Sequence, residues 1–221
     1  MNFLKEKDKQ EIIKRFENLK GNVKILFFTQ ELECQYCRET GQLLKELAEL
    51  SDKINLETYN FVNDKEVADK YGIDKVPGIV VMGEEIDYGI RYYGIPAGYE
   101  FSSLLESIEM ISTGDTQLSQ DVIEKVKTIN EPVHIQVFVT PTCPYCPSAV
   151  LMGHALAILN KNIRADMVEA TEFPQLAYKY NVRGVPRVVI NENHFFEGAL
   201  PENLYVEEVL HALDHSNHNH N

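Results

Sequence analysis

Shifted by 110 positions, the first half of this chain lies on its second. Ile12, Ile13, Phe16 and Leu19 fall at helical spacing, and Val122, Ile123, Val126 and Ile129 repeat that spacing. An apolar run follows in each half, Val23, Ile25, Phe27 and Phe28 matched by Val133, Ile135, Val137 and Phe138. Such short runs read as buried strands. Next comes a C-x-x-C pair in each half, Cys34 with Cys37 and Cys143 with Cys146. The displacement is now 109, because the first copy has one more residue between strand and cysteine. The register then holds: Tyr71-Gly72-Ile73 matches Tyr180-Asn181-Val182, and Val76-Pro77 matches Val185-Pro186. A chain that repeats helices, strands, dithiols and prolines together is expected to fold as two similar units.

Each copy reads as helix, strand, C-x-x-C opening a helix, strand, helix, proline, hairpin and final helix. Leu43, Leu44, Leu47 and Leu50 mark the helix after the first dithiol, and Val150, Leu151, Ala155 and Leu159 the one after the second. The hairpins are GIVVMGEEIDYGIRYYG and RVVINENHFFEG, with turns near Gly83 and over Asn191–Asn193. Phe101, Leu105 and Ile108, and again Val206, Leu210 and Leu213, place an apolar stripe on each final helix. The polar stretch Ser112–Gln120 is the natural junction, giving units 1–115 and 116–221. The last residues, His215–Asn221, have no apolar anchor and are expected to form a disordered, His-rich tail. Alternating strands and helices imply an α/β fold, each unit a central mixed sheet flanked by helices.

The four cysteines all lie in the two C-x-x-C pairs. Haem attachment requires His after the second cysteine, and Arg38 and Pro147 stand there instead. A Cys₄ zinc site usually separates its pairs by about 15–20 residues. Here the pairs are more than a hundred residues apart in duplicated units, so no metal is expected. Redox chemistry fits better. Residues i and i+3 of a helix hold their Cβ atoms about 5–6 Å apart, close to the roughly 3.8 Å a disulfide needs. A first cysteine at a helix N-terminus gains thiolate character from the unpaired N–H groups and the dipole. Pro144 suits a first helical position. Cys143 is then the expected nucleophile and Cys146 the resolving thiol, with Cys34 and Cys37 in the same roles. Glu31 and Glu33 near Cys34 oppose a thiolate there, unless water screens them, so Cys143 is expected to be the more acidic nucleophile.

The order of elements is that of the thioredoxin fold. With CPYC, the glutaredoxin signature, and with CQYC and two Val-Pro pairs, the chain resembles the protein disulfide oxidoreductases of thermophilic archaea and bacteria. These are glutaredoxin-like proteins of two tandem thioredoxin folds, related to protein disulfide isomerase. The resemblance covers nearly the whole chain. It implies reduction, oxidation and isomerisation of protein disulfides, a more active second site, and a thermophilic source; no organic cofactor is expected, because the cysteines carry the electrons. It also implies cis peptides before Pro77 and Pro186, with the backbones of Val76 and Val185 pairing with an extended substrate. Tyr36 and Tyr145 are either apolar surface for that substrate or exposed rings filling the turn. Arg187 either supports the Cys143 thiolate or is an exposed, solubilising residue. The expected partners are protein substrates and a thioredoxin-reductase-like flavoprotein. Glutathione fits poorly, because FFEGALP has a lone Gly198 where glutaredoxins carry a Gly-Gly segment.

Two other functions fit the same residues: a dedicated electron donor to a peroxiredoxin, and a peptide-binding chaperone with accessory dithiols. A net charge of −13 argues against nucleic acid and anionic membrane surfaces. With ten charged residues among the first twenty, no secretory leader is expected there, and the chain is expected to be cytoplasmic.

Overall fold

The computed structural model describes residues 3–218, and only the backbone over 215–218. The first repeat runs α1 (Glu6–Phe16), β1 (Val23–Thr29), α2 (Cys37–Ala48), β2 (Ile54–Asn60), α3 (Lys65–Lys70), β3 (Gly78–Gly83), β4 (Ile90–Tyr93) and α4 (Glu100–Thr113). The second runs α5 (Gln120–Lys127), β5 (Val133–Val139), α6 (Cys146–Leu159), β6 (Ile163–Glu169), α7 (Pro174–Lys179), β7 (Arg187–Ile190), β8 (His194–Glu197) and α8 (Glu202–His218). Gly114, at φ +73°, closes α4 in the left-handed conformation that suits a residue without Cβ. The junction between repeats follows it.

Within each repeat the first strand lies between a parallel and an antiparallel neighbour. β1 pairs with β2 and β3, and β3 turns back onto β4. β5 pairs with β6 and β7, and β7 turns back onto β8. The sequence reading assigned a sheet to each repeat. The two sheets are in fact one. β4 lies parallel to β6, with Arg91 opposite Asp166 and Tyr92 opposite Met167, giving the order β2-β1-β3-β4-β6-β5-β7-β8. Following these pairings, β1, β2, β4, β5, β6 and β8 all run one way. The C-terminal ends of β1 and β5, which lead into the two dithiols, therefore open on the same end of the sheet.

The main core fills one face, where Leu44 and Leu47 of α2, Leu104 and Ile108 of α4, and Val150 and Leu156 of α6 pack on the strands. α3 and α7 cover the other face through Ala68 and the partly buried Leu176 and Ala177. Both dithiol helices thus lie on one face as well. Polar groups stitch the joint on both faces. On one, buried Asp166 accepts from Arg164 Nε at 2.9 Å and lies 2.6 Å from His134 Nε2. Arg164 also donates to the Tyr93 hydroxyl at 2.8 Å and to the Gly72 carbonyl at 3.0 Å. On the other, His154 Nδ1 is 2.9 Å from Ser107 Oγ, which is 2.9 Å from the Tyr92 hydroxyl. Burial pushes His154 down to about 3, so it is neutral.

Two expectations need correction. α6 begins at Cys146, so Pro144 lies in the turn before it and Pro147 occupies the first helical turn. A proline has no N–H for the carbonyl four residues back, which here belongs to Cys143, so the helix cannot extend regularly through that residue. α8 continues to His218, so the tail expected to be disordered from His215 starts as helix. Extending an existing helix fixes one residue per added hydrogen bond, and needs no new nucleus. Residues 219–221 lie outside those described.

Candidate active site

Each cysteine pair sits where a strand of the sheet ends and a helix begins, and each is closed as a disulfide with Cα atoms 5.5 Å apart. Cys37 and Cys146 open α2 and α6 and are buried; Cys34 is half-buried, and Cys143 is buried at 8% exposure. That asymmetry within a pair suits an attacking thiol that meets solvent and a resolving thiol that waits beneath it. β1 and β5 are four places apart in the sheet, roughly 19 Å at about 4.8 Å per strand, so the four sulfurs do not form one cluster.

The Val76–Pro77 and Val185–Pro186 bonds are both cis. At the second site the carbonyl oxygen of Val185 stands 3.7 Å from Cys143 Sγ, which brings the segment before the proline to the dithiol. Tyr145 is 70% exposed beside Cys146. Tyr36 is half-buried; its carbonyl accepts from Thr40 N–H and Oγ1, which anchors the turn into α2. Arg187 is buried, donates to Glu197 at 2.8 Å and packs 4.0 Å from the Phe195 ring centroid. It is therefore not the exposed solubilising residue that was one reading of the sequence.

The two surroundings differ. The first dithiol borders an open groove lined by Thr29, Gln30, Glu31, Arg38 and Asn60. The second is walled by the first repeat. Tyr99 N–H donates to the Pro141 carbonyl at 3.0 Å, and Ile95 N–H donates to Glu172 Oε1 at 2.7 Å. Gly98, at φ +60°, is pressed so closely on Pro141 that a Cβ would overlap its carbonyl oxygen.

Just past this wall, in the first turn of α4, lies a residue the sequence reading did not single out. Glu100 is 1% exposed; it accepts from Ser103 Oγ at 2.6 Å, while its other oxygen has no partner among the described residues. Burial pushes its carboxyl up from 4.5 to about 7. A proton can therefore be held or released there near neutral pH. A glutamate in a first helical turn is ordinary in sequence, so only the three-dimensional packing marks it. Glu172 is likewise pushed up to about 7, first by burial and also by Glu169 beside it.

The sequence pattern of the thioredoxin domain matches residues 22–106 and 133–211. The NTD_N/C domain of alkylhydroperoxide reductase AhpF from Enterococcus faecalis superposes with a TM-score of 0.87 at 26% identity, over 94% of this chain and 100% of that one. A protein disulfide oxidoreductase from Aeropyrum pernix superposes with a TM-score of 0.86 at 29% identity, over 93% of this chain and 91% of that one. Among curated proteins, the alkyl hydroperoxide reductase AhpF of Pseudomonas aeruginosa is 30% identical over 80% of this chain and 31% of its own length. The chain spans a little under a third of the first curated relatives it matches.

Proposed function

This chain belongs to the thioredoxin domain family, and from that membership we infer that it is a protein thiol–disulfide oxidoreductase working through two dithiols. The observation that carries the reading is the repeated constellation: a closed C-x-x-C at the end of a parallel strand, in both repeats, with a cis Val-Pro bond in each. In the reducing direction the Cys143 thiolate attacks a substrate disulfide, forms a mixed disulfide and expels one substrate thiolate, which takes up a proton. The Cys146 thiolate then attacks Cys143 Sγ. The second substrate thiol leaves, and two electrons have passed from the dithiol to the substrate. Cys34 and Cys37 do the same in the first repeat. The reverse sequence oxidises a substrate dithiol.

The main-chain groups of Val76 and Val185, each before a cis proline, offer strand-like pairing to an extended peptide. Tyr36 and Tyr145 give it apolar surface. Protein disulfides and dithiols are the substrates in this reading, and a flavoprotein reductase returns the electrons.

The likeness to alkyl hydroperoxide reductase proteins favours a second reading, an electron relay to a peroxiredoxin. The presence of a dithiol in both repeats favours the broader activity. Redox titration in dithiothreitol buffers, with alkylated thiols counted by mass, tests the inference. Two two-electron steps roughly between −180 and −270 mV are expected, and thiols that never pair would end it. Turnover of insulin disulfides against turnover of a peroxiredoxin separates the two readings. Among the described residues no helix is long and apolar enough to cross a membrane.

A further inference from the structure

The repeat lets one half of the molecule act as a template for the other. In the second repeat, β6 is covered along its edge by β4. The segment that follows β4, Gly94–Tyr99, then fills the space between the loop before Cys143 and the turn after β6. Gly94, at φ +94°, lies against Glu169 and Glu172, Ile95 N–H reaches Glu172, and Tyr99 N–H reaches Pro141.

The corresponding surface of the first repeat is open. β2 is the terminal strand of the sheet. Between the loop before Cys34 and the turn after β2 lies a cleft of about 820 Å³, lined by Gln30, Glu31, Leu32, Glu33, Asn60, Val62 and Asn63. Its rim is mostly polar, with two large apolar side chains standing on it. Leu32 is 80% and Val62 67% exposed. Gln30 Nε2 donates to the Leu32 carbonyl at 2.7 Å, and Asn60 Oδ1 accepts from the Val62 and Asn63 N–H groups at 3.0 and 2.9 Å. Large apolar side chains exposed on a hydrogen-bonded backbone, beside an unpaired strand edge, mark a contact surface.

Acidic residues along the path favour a basic occupant. At the internal joint Arg91 stands opposite Asp166 in register, its guanidinium held by Asp87 and the Tyr71 carbonyl while Asp166 is held by Arg164 and His134. By the 109-residue displacement, the place of Asp166 is taken in β2 by Glu57, which meets Lys24 Nζ at 3.8 Å and accepts from the Tyr59 hydroxyl at 2.6 Å, and exposed Glu31 and Glu33 add negative charge further along the path. We propose that the β2 edge and the Leu32–Val62 cleft dock an extended segment of a partner protein. The segment adds as a parallel strand with a basic residue opposite Glu57, and its following turn fills the cleft beside Cys34. A second copy of this chain fits poorly, since the same register would set Phe195 opposite Glu57 and Glu197 opposite Tyr59. The surface lies on the far side of β1 from Val76, so it is separate from the main-chain pairing assigned to that residue. The proposal deepens the reading of the first dithiol as a working site, but the docking itself does not require the cysteines.

The test uses the oxidised full chain and cysteine-free peptides, so that failure of docking is distinct from failure of redox function. A fluorescent peptide copying Ile90–Tyr99, IRYYGIPAGY, is compared by anisotropy with the same peptide carrying Glu in place of its Arg. The Arg peptide is expected to bind at least tenfold more tightly, with Glu57→Lys reversing the preference. Leu32→Asp with Val62→Asp, both at exposed positions, is expected to weaken binding at least tenfold while the circular dichroism is unchanged. Amide shifts on binding should fall on Ile54–Asn60. Absence of binding, equal binding of the two peptides, insensitivity to these substitutions, or shifts confined to the Val76 loop would each overturn the proposal. Self-association abolished by Phe195→Glu would overturn it too, by making a second copy the occupant.

Discussion

The backbone N–H of Tyr99 in the first repeat donates to the carbonyl of Pro141, two residues ahead of Cys143, at 3.0 Å. One repeat thereby braces the loop that carries the other's nucleophile, and the bracing depends on a residue without a side chain. Gly98→Ala introduces both a left-handed Cβ, costing about 1–2 kcal/mol, and an overlap with Pro141 costing about 1–3 kcal/mol more. Gly114 shares the left-handed conformation, but nothing lies within 4 Å of its Cβ direction. Urea unfolding of the two alanine variants is therefore expected to show the larger loss for Gly98→Ala, and slower turnover at the second dithiol. Equal losses would mean that the wall yields.

Cys146→Ser is expected to trap substrate, because the mixed disulfide on Cys143 loses its resolving thiol. Cys143→Ser is expected to trap nothing at that site. In a background where Cys34 and Cys37 are serine, either change should cut reductase turnover at least 100-fold, on the order found when a nucleophile is removed. Mass spectrometry of the adduct reads the result. An adduct on Cys146 would reverse the assigned roles.

The raised carboxyl of Glu100 ties stability to pH. The unfolded chain releases this proton near 4.5, whereas the folded chain holds it until about 7. Between those values the folded state binds more protons, so stability falls as pH rises. A tenfold change in proton affinity is worth about 1.4 kcal/mol, so the fall is about 3 kcal/mol at most. Glu172 acts in the same window and the same direction. Glu100→Gln should flatten the pH 4.5–7 limb of the stability curve and leave the Glu172 part. A curve parallel to wild type would show that Glu100 titrates normally.

Asp166 works in the opposite sense. His134 and Arg164 hold its carboxyl well below the usual carboxylate range despite full burial. Its stabilisation is present above the unfolded carboxylate pKa and is lost as pH falls through the lowered one. Asp166→Asn leaves Arg164 and His134 without their anion at the joint between repeats, at a cost of about 3–5 kcal/mol. Because one sheet runs through both repeats, that loss is expected as a single cooperative unfolding transition moved to lower denaturant. Two separated transitions would show that the repeats unfold independently.

The elements and the dithiols were legible because short-range signals carry them: helical spacing in α1 and α5, apolar runs in β1 and β5, and Val-Pro pairs at matched places. The joint was less so, since strand partners are chosen by long-range packing. The burial of the two hairpins records the outcome. Ile90, Arg91, Tyr92 and Tyr93 of β4 are all buried, the pattern of an interior strand, whereas His194–Glu197 of β8 alternates between half-buried and exposed as an edge strand does. Arg187 misled in part because its fate depends on Glu197 and Phe195 across the hairpin, which composition does not show.

The unbroken sheet also makes the molecule a calliper. Two sulfur pairs held on one end and one face, roughly 19 Å apart by about 4.8 Å per strand, have no hinge between them to shorten the gap. A polypeptide captured covalently at one pair reaches the other only if at least about six extended residues, at roughly 3.3 Å each, separate its cysteines. Those meeting this span enjoy a high local concentration at the second pair, and those with closer cysteines gain none. If protein disulfides are the substrates, as proposed above, spacing along the client chain becomes a criterion of selection, set by the number of strands between β1 and β5.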